Sequence, residues 1–576
     1  MATRRTAMAG AVALTFLFGT IGSGLAPVPA AAQQEEKPPW APQGPISSSV
    51  PKDTGRPAKP HEQVTECIES SFTQREIPSE QILKEGPWAQ RFLRIHEVQQ
   101  YVRQRSPHGK VGWNDEKNRP IKIAVIDTGV TPNDHLPASR LEAGGDYIEG
   151  ADGAQGLEDC DGHGTQVAGI IAANPKDPSI GFTGVAPDAH IISIRQSSQN
   201  WTEKSDEQIE REREERREAE RQRRKQQEAE QRAREAEQKL EQLQEEIRKT
   251  REEAKRNNKT SSSQQAPNEP RAQDNPAGAG NLDTLAQAIV RAVDKGADVI
   301  NMSVDACRPL FPNDDHAFRP QGDEVKVRAA LKYAADHNVV AVAAAGNAAP
   351  PNSGGTCLQN DAPLPEDPRV PPKHQPRTLV IPPWFSADGT VLAVAAIGRD
   401  GSVADFSMRG PWVSVAAPGT EIISIDPAGT NAIINATFNG DRTKPQPLQG
   451  TSFAAPYVAG VAALVKQMHP ELTAREIIER IQRTAQHPGA AAGRDQFVGY
   501  GVIDPMAAVS DELPDAGDLE HAEDRALPSD MPPLNEPDPV PMYVALGGTG
   551  GAFAALGITL FVVRSVRRYK AKKASA

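Results

Sequence analysis

Gly450-Thr451-Ser452-Phe453-Ala454-Ala455-Pro456 runs directly into Tyr457-Val458-Ala459-Gly460-Val461-Ala462-Ala463-Leu464-Val465. Small and apolar residues recur there at helical spacing (Val458, Val461, Leu464, Val465, Met468) and the pattern stops at His469-Pro470. The spacing predicts a buried helix over Thr451–Met468 with Ser452 at its head and Pro456 in its first turn. A hydroxyl at that place meets unpaired N–H groups and partial positive charge, which favour charge developing on a nucleophilic oxygen. An ordinary Ser/Thr helix cap fits the heptapeptide as well. Residues upstream decide between the two.

Ile121-Lys122-Ile123-Ala124-Val125-Ile126 is a short apolar strand that ends at Asp127-Thr128-Gly129-Val130. Open α/β sheets place their sites at the carboxyl ends of such strands. Asp159-Cys160-Asp161-Gly162-His163-Gly164-Thr165 then brings a glycine-flanked histidine onto the first turn of a second apolar helix. Asp, His and Ser follow one another along the chain in the order of the subtilisin triad. Three cassettes in that order, each at the end of an element, are not a coincidence of capping residues.

From about Ile121 to Ile503 the sequence resembles the subtilisin-like (S8) serine proteases. The resemblance implies that Asp127 orients the imidazole, His163 acts as general base and then general acid, and Ser452 is the nucleophile. Asn347, in Ala343-Ala344-Ala345-Gly346-Asn347, matches the oxyanion-hole amide. In a related subtilisin that donor is worth about 2.7–4 kcal/mol of barrier. Also by resemblance, Ser303-Val304-Asp305 and Ala344-Ala345-Gly346 wall the pocket for the residue before the scissile bond. Arg195-Gln196-Ser197 is then the edge strand on which the peptide adds. Thr128 after the acid and Phe453 after the nucleophile depart from the common Ser and Met without removing a catalytic group.

The 576 residues exceed a single compact core. A formal charge of −12 argues against a nucleic-acid partner. Cys67, Cys160, Cys307 and Cys357 form an even set without a CxxC pair. They suit two disulfides in an exported chain, with three pairings open, better than zinc. No cofactor or metal is expected.

Residues 1–32 read as a signal peptide, with Arg4 and Arg5, a short apolar core and Ala30-Ala31-Ala32. Residues 33–85 form an N-terminal extension in which a Pro-, Gly- and Ser-rich lead precedes Cys67. Ile82, Leu83, Trp88, Phe92 and Leu93 supply apolar residues to pack on the core, so the extension reads as a permanent wrap rather than a removable inhibitor. The peptidase domain spans 86–510. Strands are predicted at Ile121–Ile126, His190–Ile194, Ala297–Ser303, Val339–Ala345, Val391–Ala396 and Trp412–Val415. Helices are predicted at His163–Asn174, Leu282–Lys295, Glu324–His337, Thr451–Met468 and Thr473–Thr484. This alternation predicts an α/β, subtilisin-like three-layer fold with a mainly parallel sheet covered by helices on both faces.

Within a 199–280 insertion, Glu203 to Arg256 is almost entirely Glu, Arg, Lys and Gln. Acid-first pairs four apart, such as Glu212/Arg216 and Glu228/Arg232, support a helix without a core. Fully formed it would be an arm of roughly 80 Å. It reads as a solvated spacer, a gate over the cleft, or a docking element. Residues 511–541 are an acidic, Pro-rich linker. Residues 542–563 carry no charge and are long enough for a single transmembrane helix, and the basic tail 564–576 places the protease outside the membrane.

Signal peptide, extension, four cysteines, linker and C-terminal anchor together resemble the mycosins, membrane-anchored subtilases associated with type VII secretion systems. That likeness implies pairing of Cys67 with Cys160 and of Cys307 with Cys357. It implies secreted protein substrates, type VII secretion membrane complex subunits as partners, and a cell-membrane location with the catalytic domain extracytoplasmic. A mainly structural role in the complex, with restricted proteolysis, is the alternative it also implies.

Overall fold

The computed structural model describes residues 37–67, 86–150, 153–248, 279–311, 314, 316–349, 357–360, 376–428, 433–437, 446–490, 493–510 and 555–568. The predicted signal peptide, the 511–541 linker and residues 542–554 of the predicted span lie outside them, as do Ile82 and Leu83. The chain divides into two units, Met1–Asp511 and Glu512–Ala576.

In the first unit seven strands form one sheet: β1 (Lys122–Asp127), β2 (Leu141–Asp146), β3 (His190–Arg195), β4 (Val299–Met302), β5 (Val340–Ala344), β6 (Leu392–Ile397) and β7 (Val415–Pro418). Their order is β7-β6-β5-β4-β1-β3-β2, and every pair is parallel. Parallel strands need crossovers: α2 (His163–Ala172) lies between β2 and β3, α3 (Asp206–Arg248) and α4 (Leu282–Asp294) between β3 and β4, and α5 (Glu324–Asp336) between β4 and β5, whereas α1 (Ile95–Arg105) precedes β1, and α6 (Thr451–Met468) and α7 (Ala474–Arg483) follow β7.

The apolar strands divide between two cores because successive side chains point to opposite faces. Ile123 and Val125 pack with residues of α2 and α6 on one side of the sheet. Ala124 and Ile126 pack with α4 and α5 on the other. The sheet is thus the middle of three layers, as the alternation predicted. Helix ends follow local chemistry: Asn281 with Thr284, and Thr473 with Glu476, form reciprocal capping boxes at the starts of α4 and α7.

Strand β2 was not among the predicted strands. Leu141-Glu142-Ala143-Gly144-Gly145-Asp146 has no β-branched residue and two glycines, and it is held as an edge strand by pairing with β3 through a register shift. The last strand begins at Val415, where the prediction ended, because Trp412 and Val413 belong to the preceding turn. Pro456 falls in the second turn of α6, inside the helix rather than in its first turn. A helix over 555–568 overlaps the end of the predicted 542–563 span. Among the described residues no helix is long and apolar enough to cross a membrane.

The charged insertion begins as the 43-residue helix α3, about 64 Å long at 1.5 Å per residue. Over 210–231 every residue is exposed, so ion pairing and propensity hold this stretch rather than a core. Its root is anchored. Trp201–Glu203, just before α3, pairs antiparallel with His61–Gln63 of the N-terminal extension.

The extension and the residues just after it are held to the rest of the first unit at further places. Trp88 and Leu93 are buried, whereas Phe92 is exposed. Cys67 is bonded to Cys160 and Cys307 to Cys357, the pairing the mycosin likeness implied. Arg328 on α5 is 3% exposed, grips Asp388 through Nε (2.8 Å) and Nη2 (3.0 Å), and donates to the carbonyls of Pro42, Gln43 and Gly44. Removing one partner of a buried ion pair typically costs about 3–5 kcal/mol. Arg328→Ala is therefore expected to lower unfolding stability by that order and to open the segment around residue 43 to limited proteolysis, read by denaturant titration and mass mapping of the first cuts.

Candidate active site

Asp127 ends β1 and is fully buried. Its Oδ1 accepts the Thr128 backbone N–H (2.8 Å) and lies 2.7 Å from His163 Nδ1. A carboxylate on Nδ1 fixes the proton on that nitrogen and leaves the Nε2 lone pair free. His163 Nε2 stands 2.9 Å from Ser452 Oγ. Ser452 comes from α6, His163 from the first residue of α2 and Asp127 from the sheet, so three separate elements bring the acid, imidazole and hydroxyl into one chain of hydrogen bonds.

Two glycines allow this approach. Gly129 has φ +111°, and a Cβ there would stand 2.0 Å from the Glu158 carbonyl oxygen. A Cβ at Gly450 would stand 2.9 Å from Ser452 Oγ. Pro456 has no N–H to return to the carbonyl four residues back, which is that of Ser452. Ser303 Oγ takes over that acceptor at 2.8 Å, tying the end of β4 to the turn that carries the hydroxyl.

Asn347 follows β5, and its Oδ1 accepts from Thr451 N (3.0 Å) and Thr451 Oγ1 (3.1 Å). With the oxygen so engaged, the amide's N–H groups are left for the cleft. Asp127, His163, Ser303, Asn347 and Ser452 all line one cleft of about 1290 Å³. It opens at the carboxyl ends of β1, β3, β4 and β5, where strand order reverses around β1.

The sequence profile of the subtilase family matches residues 118–501. The chain belongs to the subtilase family, in its mycosin branch. Mycosin-1 of Mycolicibacterium smegmatis is 34% identical over 540 residues, spanning 92% of this chain and 95% of its own. The crystal structure of MycP1 from Mycobacterium smegmatis matches with a TM-score of 0.58 at 34% identity, over 82% of this chain and 96% of that one. A chain in the structure of an intact ESX-5 inner membrane complex matches with a TM-score of 0.58 at 32% identity, over 91% of this chain and 99% of that one. As a subtilase the protein is a serine endopeptidase.

The subtilase cleft gathers most of the residues singled out from sequence. Val304, Asp305, Ala344, Gln196 and Ser197 line it with the five above, whereas Ala345 and Gly346 do not. Arg195 is a correction. It pairs with both Asp127 and Asp146 inside the sheet, so it is no edge strand. Its guanidinium is 1% exposed and turned onto Asp146 and Glu149.

Sequence reasoning passed over Asp159 and Thr451. Buried Asp159 takes Thr128 Oγ1 and the Gly162 N–H on Oδ1 (both 2.8 Å), and the N–H and hydroxyl of Thr165 on Oδ2 (both 2.7 Å). It thereby clamps the loop after β1 to the head of α2. Burial pushes its carboxyl up to about 6 against the pull of those hydrogen bonds. An acid six residues ahead of a Thr in a helix's first turn was the available signal. Thr65 and Glu66 of the extension also line the cleft, a placement no sequence pattern announces.

Burial works to lower the His163 pKa, but the charge and hydrogen bond of Asp127, backed by Asp159 and Asp161, outweigh it and hold the imidazole above its ordinary 6.5. A raised pKa keeps the proton on to higher pH, so the neutral form appears later on a rising titration. An NMR titration of His163 is expected to show a midpoint above 6.5, and Asp127→Asn should move it downward.

Proposed function

We propose that the chain is a membrane-anchored, extracytoplasmic endopeptidase that cleaves secreted proteins and works beside a type VII secretion membrane complex. The observation that carries the chemistry is the run Asp127 Oδ1–His163 Nδ1 at 2.7 Å and His163 Nε2–Ser452 Oγ at 2.9 Å within a single open cleft. In this reading Ser452 Oγ attacks a peptide carbonyl while His163 Nε2 takes its proton. Asp127 holds the tautomer and stabilises the imidazolium. Asn347 Nδ2 and a backbone N–H at the head of α6 receive the oxyanion. His163 then gives its proton to the leaving amine, and water releases the acyl-enzyme by the same route in reverse.

Association with a secretion complex is supported by the likeness to a chain of the ESX-5 inner membrane complex along nearly the full length of both proteins. The anchor is supported by the uncharged residues 542–563 and the basic residues after them. The exposed helix α3 favours a second reading alongside catalysis, in which the arm holds the protease to its complex.

Ser452→Ala is expected to abolish peptide turnover by the first unit, with a loss on the order of 10⁶ in a related subtilisin. Activity like that of the wild type would end the nucleophile assignment. In the wild type the acid limb of kcat/KM should lie above pH 6.5, because only the neutral imidazole can act as base. Co-purification with the membrane complex should survive Ser452→Ala and weaken on deletion of 203–256. If the deletion leaves it unchanged, the arm has no docking role.

A further inference from the structure

Resting on the protease reading, we infer that the cleft selects peptides with lysine or arginine immediately before the scissile bond, and that Asp305 is the residue that reads the cation.

Asn347 Nδ2 and Ser452 Oγ fix where the reacting carbonyl sits, and Asp305 is one short step from both. Its carboxylate accepts the backbone N–H of Asn347 itself. Asp305 stands two residues after Ser303, whose hydroxyl holds the Ser452 carbonyl at 2.8 Å. The carboxylate also leans across to the opposite wall, since a Cβ built on Gly346 would meet Asp305 Oδ2 at 3.0 Å. The side chain of the residue under attack must leave its carbonyl along this wall, and there it meets a carboxylate.

That carboxylate is not spent on another ion. Asp305 keeps solvent access in the cleft, although its surroundings push the carboxyl up to about 6, so it carries its charge above that pH, and it makes no ion pair among the described residues. Cys307 and Cys357 lie close enough to share a metal with it, but their sulfurs are joined to each other and offer no thiolate. The surrounding field has the same sign. Glu66, Asp127, Asp161 and Asp305 line the cleft, and no lysine or arginine does among the described residues. A cleft walled by one sign of charge concentrates the opposite sign and penalises a like-charged side chain. Selectivity against an uncharged chain of equal length then measures the charge alone.

The test is the rate at which Ser452 is covalently labelled by two peptidyl phosphonates identical except for lysine or norleucine at the position before the phosphorus. The expected lysine-to-norleucine ratio is tenfold or more in the wild type, falling as salt is added. It should collapse toward unity in Asp305→Asn and persist in the charge-keeping Asp305→Glu. A wild-type ratio near or below one overturns the inference, as does failure of both peptidyl probes where a small fluorophosphonate still labels Ser452. A ratio that survives in Asp305→Asn removes Asp305 from the role. If the fluorophosphonate itself leaves Ser452 unlabelled, the nucleophile reading fails, and the inference fails with it.

Discussion

The hydrogen bond between Asp127 and His163 is the contact on which the rest of the molecule converges. It requires a carboxylate to be fully buried at the end of an interior strand, where an unpaired charge is costly. The protein offsets part of that cost with the Thr128 N–H and the imidazole on Oδ1, and with the positively inclined head of α2 close by, while Oδ2 is buried without a protein hydrogen-bond partner among the described residues. The same arrangement keeps His163 above its ordinary pKa. The bond that sets the geometry thus also carries the main share of the electrostatics, with Asp159 and Asp161 adding to it.

Around that bond the structure is built to stop two loops from drifting apart. Asp159 joins the loop after β1 to the head of α2 through four hydrogen bonds. Ser303 joins β4 to the turn that carries Ser452, and Thr451 turns the Asn347 amide. Each of these is a short polar side chain that holds one backbone segment against another. Each lies beside a residue that the chemistry needs.

The extension bears on the same region from outside. Cys67 is bonded to Cys160, three residues before His163, and Asn200 Nδ2 donates to the Cys160 carbonyl while Thr65 Oγ1 reaches Asn200 Oδ1. The root of the α3 arm, the extension and the histidine loop are thereby one connected patch at the rim of the cleft.

The parallel α/β layering, the start of α2, both ends of α6 and the order of acid, imidazole and hydroxyl were legible from the chain alone, because apolar periodicity and small-residue motifs are local. Helix α6 was bounded to the residue for that reason. Strand β2 was not legible, since its glycines carry no strand signal and it exists by pairing with β3. Arg195 was misplaced because whether a strand is central or at an edge depends on its neighbours, not on its own residues. What the amino-acid sequence determined was the identity of the reacting groups and the elements that carry them. Only the tertiary structure decided that Asp159, Thr451, Thr65 and Glu66 join the site, because hydrogen bonds between distant segments come from how the layers close and leave no period in the chain.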